Sequence, residues 1–235
     1  MMHITELFDE GLLREMIEGR FIRRFEHDNG DLIGYDYTPS AQWDRVWNPV
    51  TLNCRGLIVD TSGMIVARPF PKFFNHGEQP DEDARRLGQP FTLSEKVDGS
   101  LGIHYLWQGR HAVSTRGSFH SPQAQWATGR IQDWPPDPAP GTTHLFEIIY
   151  PENRIVVDYG DRAELVVLAA IDWRTGRTAN AYWPLSKRAA TYEVPTGATL
   201  ADIRNVWAHL DTGNFEGFVA TFPDGHRVKI KLDEY

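Results

Sequence analysis

From Leu52 to Lys231 the sequence sets short runs rich in Val, Ile, Leu and Phe between turn-forming residues, a rhythm that suits packed antiparallel hairpins. Gly56-Leu57-Ile58-Val59-Asp60 and Met64-Ile65-Val66-Ala67-Arg68 flank Thr61-Ser62-Gly63, the pattern of one such hairpin. Strand-like runs follow at 91–96, 101–107, 111–115, 145–149, 164–171, 217–222 and 226–231, the last two joined by the tight turn Pro223-Asp224-Gly225. Helical signals are fewer. From Ile4 to about Arg24, Leu7, Phe8, Leu12, Leu13, Met16 and Ile17 recur at helical spacing and predict one or two amphipathic helices. Ser121 with Pro122 predicts a second helix start, and Thr199 with Asp202 resembles a capping box before Ile203, Val206 and Leu210. The class is therefore α+β. The prolines of Trp134-Pro135-Pro136-Asp137-Pro138-Ala139-Pro140-Gly141 lack the backbone donor and constrain the residues before them, so this stretch reads as a surface loop.

With 235 residues, 41% of them apolar, the chain is long enough to bury a real core, and the expected organisation is one domain over residues 1–235. The 24 basic and 32 acidic residues give a net charge of -8, which excludes a uniformly basic nucleic-acid coat but not a local basic cleft. A single cysteine, Cys54, leaves no internal disulfide and reads as a small buried side chain. No signal-like start and no apolar run of bilayer length is present, so the expected place is the cytoplasm, without membrane, and the expected state a monomer. His76, His104, His111 and His120 lack metal-ligand spacing, so no zinc site is expected.

The string with chemical content is Glu95-Lys96-Val97-Asp98-Gly99-Ser100, between two strand candidates, where glycine allows the backbone to approach a bound group. Alone it is weak, because lysine is usually a solvated charge and Asp-Gly a common hairpin turn. Its neighbours in order give it weight. Cys54-Arg55-Gly56 and Pro71-Lys72-Phe73-Phe74-Asn75 precede it; Ser114-Thr115-Arg116-Gly117-Ser118, Phe146-Glu147-Ile148-Ile149-Tyr150, Glu216-Gly217-Phe218-Val219 and Val228-Lys229-Ile230-Lys231 follow. This order resembles the covalent nucleotidyltransferase superfamily of ligases and capping enzymes, most closely the phage-type RNA ligase 1 family. Pro151-Glu152-Asn153-Arg154-Ile155-Val156 extends the similarity over nearly the whole chain.

The resemblance implies a nucleotidyltransferase domain whose antiparallel sheets form a nucleotide cleft flanked by helices. It implies that Lys96 attacks ATP to form a covalent lysyl-AMP, that AMP passes to an RNA 5′-phosphate, and that a 3′-hydroxyl then seals the strand. An amine must be neutral to attack, yet the reference pKa of lysine is roughly 10.4, so such a site needs nearby cations and partial burial. Lys229, Lys231 and a bound metal are the cations expected to do this and to stabilise the transferring phosphate. By resemblance Arg55 and Lys72 grip the triphosphate or ribose, and Arg116 reaches a phosphate or the RNA end. Glu95, Val97, Asp98 and Gly99 join them, with Asp98 also suited to stabilising the turn that aims Lys96. Glu147 and Glu216 are expected at a ribose hydroxyl and, through water, at Mg²⁺ or Mn²⁺. Tyr35, Tyr37 and Phe146 are the aromatics expected to stack on adenine or cover the sugar. Members of this branch usually carry a further C-terminal domain, which is expected to be absent here. The readings left beside this one are a GTP-using capping-type or DNA-ligase enzyme, and a non-catalytic nucleotide- or RNA-binding domain of the same fold.

Overall fold

The N-terminal helical spacing stops sooner than the sequence suggests. In the computed structural model, which describes residues 2–132, 140–179, 187–207 and 214–231, a 3₁₀ turn at Ile4–Glu6 leads to α1 (Glu10–Glu18). The Asp9 carboxylate caps α1 by accepting from the Leu12 N–H at 2.9 Å. Gly19 ends it, and residues 22–24, expected as helix, belong instead to β1 (Ile22–Glu26). β1 pairs with β2 (Leu32–Tyr37), a strand the sequence reading did not name. Two short helices, α2 (Pro39–Trp43) and α3 (Pro49–Asn53), were also unforeseen; each begins on a proline and is capped by Thr38 or Asn48. Five residues are too few to show a helical period, so only their caps carried a signal.

The hairpin of β3 (Arg55–Asp60) and β4 (Ile65–Ala67) forms as predicted and completes a sheet of order β1-β2-β3-β4. Next come β5 (Phe74–Asn75), α4 (Pro80–Arg85), β6 (Thr92–Glu95), β7 (Ser100–Trp107) and β8 (Arg110–Ser114). α5 (Pro122–Gly129) starts at Ser121, whose Oγ accepts from the Ala124 N–H at 3.1 Å, as its sequence suggests. β9 (Thr142–Ile149), β10 (Glu164–Asp172) and β11 (Thr191–Tyr192) precede α6 (Leu200–Trp207). The expected capping box of α6 is present: Thr199 N–H donates to Asp202 Oδ2 at 2.8 Å and Asp202 N–H to Thr199 Oγ1 at 3.2 Å. Leu210 and residues 134–139 of the proline-rich stretch lie outside the described residues. β12 (Gly217–Thr221) and β13 (Arg227–Lys231) close the chain as an antiparallel hairpin.

Among the described residues three sheets result, with orders β1-β2-β3-β4, β10-β9-β7-β8 and β11-β6-β12-β13-β5. Their pairings are antiparallel apart from β13 with β5. Leu32, Ile58 and Ala67 of the first sheet pack against Ile103, Leu145 and Ile171 of the second. The outer face of the second sheet buries Phe146, Ile148 and Val113 under Ala127 of α5. On the third, Leu93, Phe218, Ala220, Val228 and Ile230 pack against Leu200 and Ile203 of α6. Period-two alternation then sends Ser94, Val219, Thr221, Arg227 and Lys229 to the opposite face. That face meets the second sheet at a cleft. Among the described residues no helix is long and apolar enough to cross a membrane.

Phe146 is fully buried on the α5 side, whereas its neighbour Glu147 lines the cleft. Adjacent residues of a strand point to opposite faces, so Phe146 and Glu147 do not share the pocket, and the expectation that Phe146 covers the nucleotide is corrected. Phe146→Ala should therefore cost about 3–5 kcal/mol of stability through cavity formation. Urea denaturation will read this as a lowered midpoint, while the nucleotide affinity of the folded fraction stays at the level of the parent protein.

Candidate active site

The cleft between the second and third sheets encloses about 310 Å³ and is lined by Arg55, Glu95, Lys96, Val97, Gly99, Arg116, Glu147, Arg227 and Lys229, with an apolar portion that includes Phe70, Phe73, Leu168 and Val219. Lys96 follows β6 directly, and its N–H donates to the Gly217 carbonyl at 2.8 Å, so the residue next to Glu216 is fixed beside it. Gly217 permits this approach: at φ 140°, a Cβ there would lie 2.1 Å from the Ile230 oxygen. Glu216, 6% exposed, bridges two lysines. Its Oε2 accepts from Lys96 Nζ and its Oε1 lies 3.0 Å from Lys231 Nζ. Gly99 answers a second close approach, because a Cβ would stand 2.6 Å from the Ile148 oxygen on β9.

Asp98 turns away from the cleft. Its Oδ2 accepts from the N–H groups of Val156 at 2.7 Å and Val157 at 2.8 Å. The backbone N–H of Asp98 donates to Tyr159 Oη at 2.9 Å. Two carboxylate bonds and one backbone bond thus secure the loop that carries Lys96.

Cations gather around the opposite wall. Lys229 lies 5.0 Å over the Phe73 ring. Burial pushes its ammonium down to about 7, and Arg55, Lys72, Lys96 and Lys231 add repulsion. Arg55 sits 5.4 Å over Phe73, with Nη1 buried and lacking a hydrogen-bond partner. Burial, then Arg116, lower its affinity for the proton. Glu147 is the counterweight. Burial raises its carboxyl to about 8, against the pull of Lys96 and Arg55. Both groups line the one cleft, the carboxyl shifted toward its neutral form and the ammonium toward its neutral amine.

Arg116 and Lys72 arrive with other partners. Arg116 pairs with Asp36 at 2.9 Å and lies 4.3 Å over the Tyr37 ring, at the cleft wall. Lys72 Nζ sits 5.0 Å from the ring centre of Phe74, 5.2 Å from Trp47 and 5.6 Å from Tyr37, an aromatic cage outside the cleft lining. Tyr35 and Tyr37 are each 8% exposed in the core of the first sheet, so neither is brought to the cleft as a stacking surface. Phe70 and Phe73 occupy that position instead. Arg227 was also missed: it donates to Thr178 Oγ1 at 2.8 Å and to the Gly225 oxygen at 2.9 Å. Its signal was present, since it precedes Lys229 by two residues on one strand and must share its face. Cys54 is fully buried, and burial holds its thiol well above the ordinary range. His104 and His111 form a buried pair at 2.8 Å, away from the cleft, while His76 and His120 lie beside Asp83 and Asp28.

Glu216 and Glu147 are carboxylates near Lys96, and a hydrated divalent cation commonly takes a few carboxylates and completes its shell with water and phosphates. Among the described residues, no group of three or more His, Cys, Asp or Glu converges as a ligand cluster.

The chain is similar to known proteins. The profile of the family described as RNA ligase matches residues 53–133, which hold Arg55, Lys72, Lys96 and Arg116. A protein of Thermovibrio ammonificans named "Putative RNA ligase" is 30% identical over 186 residues, covering 73% of this chain and 46% of that protein. Over this region the chain is similar to RNA ligases. Among solved structures, an archaeal ATP-dependent RNA ligase has a TM-score of 0.62 at 14% identity, covering 94% of this chain and 61% of that one. A Naegleria gruberi RNA ligase variant solved with ATP and Mn has a TM-score of 0.51 at 15% identity, covering 71% of this chain and 56% of its own. These likenesses establish the nucleotidyltransferase fold. The chain spans less than half the length of the curated relatives it matches.

The raised carboxyl of Glu147 has a readable consequence. Its folded-state proton affinity exceeds the unfolded one, so the stability tied to its protonation is present at low pH and lost as pH rises toward about 8. Glu147→Gln removes that dependence. In urea titrations the variant should gain stability relative to the parent between pH 5 and pH 8, and parallel curves for the two proteins would contradict the assignment.

Proposed function

We propose that this chain carries the adenylyl-transfer centre of an ATP-dependent RNA ligase, with residues 1–235 forming the nucleotidyltransferase domain. The observation that carries the reading is the cleft itself, where Lys96, Lys229 and the unpaired donor of Arg55 face one half-closed cavity with Glu147 and with Glu216 at its lip. Such a cluster suits a polyphosphate better than a neutral ligand, because each anionic oxygen that enters relieves repulsion among the cations. The apolar portion, with Phe70, Leu168 and Val219, suits a planar base.

In the first step the Lys96 amine attacks the α-phosphorus of ATP; an N–P bond forms, the P–O bond to pyrophosphate breaks, and the amine gives up a proton. Glu216 and Lys231 keep Lys96 in place before attack, and Lys229 and Arg55 face the charge that builds on the phosphate. The low proton affinity of Lys229 supports a second duty, in which it exchanges a proton with the leaving group. Glu147 and Glu216 are the residues that would hold Mg²⁺ or Mn²⁺ through water, and the ion would supply charge neutralisation on the phosphates. An RNA 5′-phosphate then takes AMP from Lys96, and a 3′-hydroxyl displaces AMP to join the strand. Arg116, at the cleft wall, would meet a phosphate of the outer triphosphate or the RNA end, and Lys72 would have to leave its aromatic cage to join it.

Intact-protein mass spectrometry after incubation with ATP and Mg²⁺, or with GTP, tests the reading. The expected result is a gain of one AMP from ATP, abolished by Lys96→Ala. A guanylate adduct would instead assign capping-type chemistry, and no adduct from protein shown to be folded and unadenylated would leave a nucleotide-binding domain.

A further inference from the structure

The segment after β9 grips both sides of the reactive pair. On one side Asp98, two residues beyond Lys96, receives the N–H groups of Val156 and Val157 and gives its own N–H to Tyr159 Oη. On the other side Asn214, two residues before Glu216, accepts from the Asp158 N–H at 2.6 Å and donates through Nδ2 to the Asp158 oxygen. One run of four residues therefore contacts the loop of the nucleophile and the loop of its carboxylate partner. The run is itself anchored. Asn153, 5% exposed, donates to the Ile148 oxygen at 2.7 Å and accepts from Ser100 Oγ at 3.0 Å and Gln123 Nε2 at 3.1 Å. The Tyr159 ring packs with Val97, Ile149 and Val166, so its hydroxyl is delivered from a fixed base.

We infer that residues 156–159 and Asn214 form a clamp that sets the distance between Lys96 and Glu216, with Tyr159 and Asn214 as its positioning residues. The inference rests on the adenylation reading above. Neither side chain is among the residues lining the cleft, so both act through the loops they hold. Lys96 must leave Glu216 and meet the α-phosphorus along a defined line, and small displacements of a nucleophile are costly in rate while leaving ligand binding nearly intact. Loss of a clamp bond should consequently appear in the rate of bond formation and not in ATP affinity.

Single-turnover adenylation, followed by mass spectrometry across a range of ATP concentrations, tests the clamp with Tyr159→Phe, Asn214→Ala and the double variant. Tyr159→Phe keeps the ring and its packing, and Asn214 is exposed, so at least one variant retains the parent melting temperature. The expected result is a fall of about 10- to 100-fold in the maximal rate, with half-saturating ATP changed less than about two-fold. The double variant should fall by less than the product of the single losses, as for residues that act as one unit. Unchanged maximal rates, or a rise in half-saturating ATP alone, would overturn the clamp. A parent protein that adenylates normally keeps that failure separate from failure of the adenylation reading; a parent protein that forms no adduct overturns both.

Discussion

The site depends on one buried carboxylate held between two lysines. Glu216 is buried, and Lys96 and Lys231 supply the opposite charge that makes its burial tolerable. The constraint runs in both directions. A lysine that sits in a cleft with Lys229 and Arg55 needs a nearby anion to remain ordered, and Glu216 is that anion until a nucleotide brings others. The strand geometry follows from the same need. Glu216 must stand at the head of β12, Lys231 at the tail of β13 and Lys96 at the end of β6, and the register pairing Gly217 with Lys231 places all three together. Gly217 is required because no side chain fits against the Ile230 oxygen.

Charge in the cleft is balanced by shifting protons. Burial drives Glu147 toward its neutral form and Lys229 toward its neutral amine, so the resting pocket holds less net charge than its residue types suggest. Adding a polyphosphate would return Lys229 toward its charged form and hold Glu147 in its neutral one. That behaviour explains how an acidic chain, net -8, can present an anion site: the basic residues are gathered at one cleft while the excess carboxylates lie elsewhere.

Much of this was legible in the sequence, and particular residues show where legibility ended. The hairpins around Thr61-Ser62-Gly63 and Pro223-Asp224-Gly225 and the caps at Ser121 and Thr199 rest on local chemistry, and local chemistry is what a sequence displays. Lys96, Arg55, Glu147, Lys229 and Arg116 converge on one cleft, with Lys231 reached through Glu216. Phe146 and Arg227 could both have been placed by strand parity, which puts the first opposite Glu147 and the second beside Lys229. Lys72 could not: its cage joins Tyr37 of β2, Trp47 from the segment between α2 and α3, and Phe74 of β5, a tertiary arrangement with no periodic trace. Residues 22–24 fall in a strand although helix was expected there, because the apolar spacing of α1 continues through Phe21 and Ile22, while Gly19 breaks the helix before them.

The most direct test of the account is a crystal structure of Lys96→Met with ATP and Mn²⁺, a variant that keeps the length of the side chain and removes the nucleophile. The account predicts the phosphates against Arg55 and Lys229, the base against Phe70, Leu168 and Val219, and Glu216 still joined to Lys231. Nucleotide bound in a different cavity, or bound here with its phosphates directed toward the apolar portion, would contradict it.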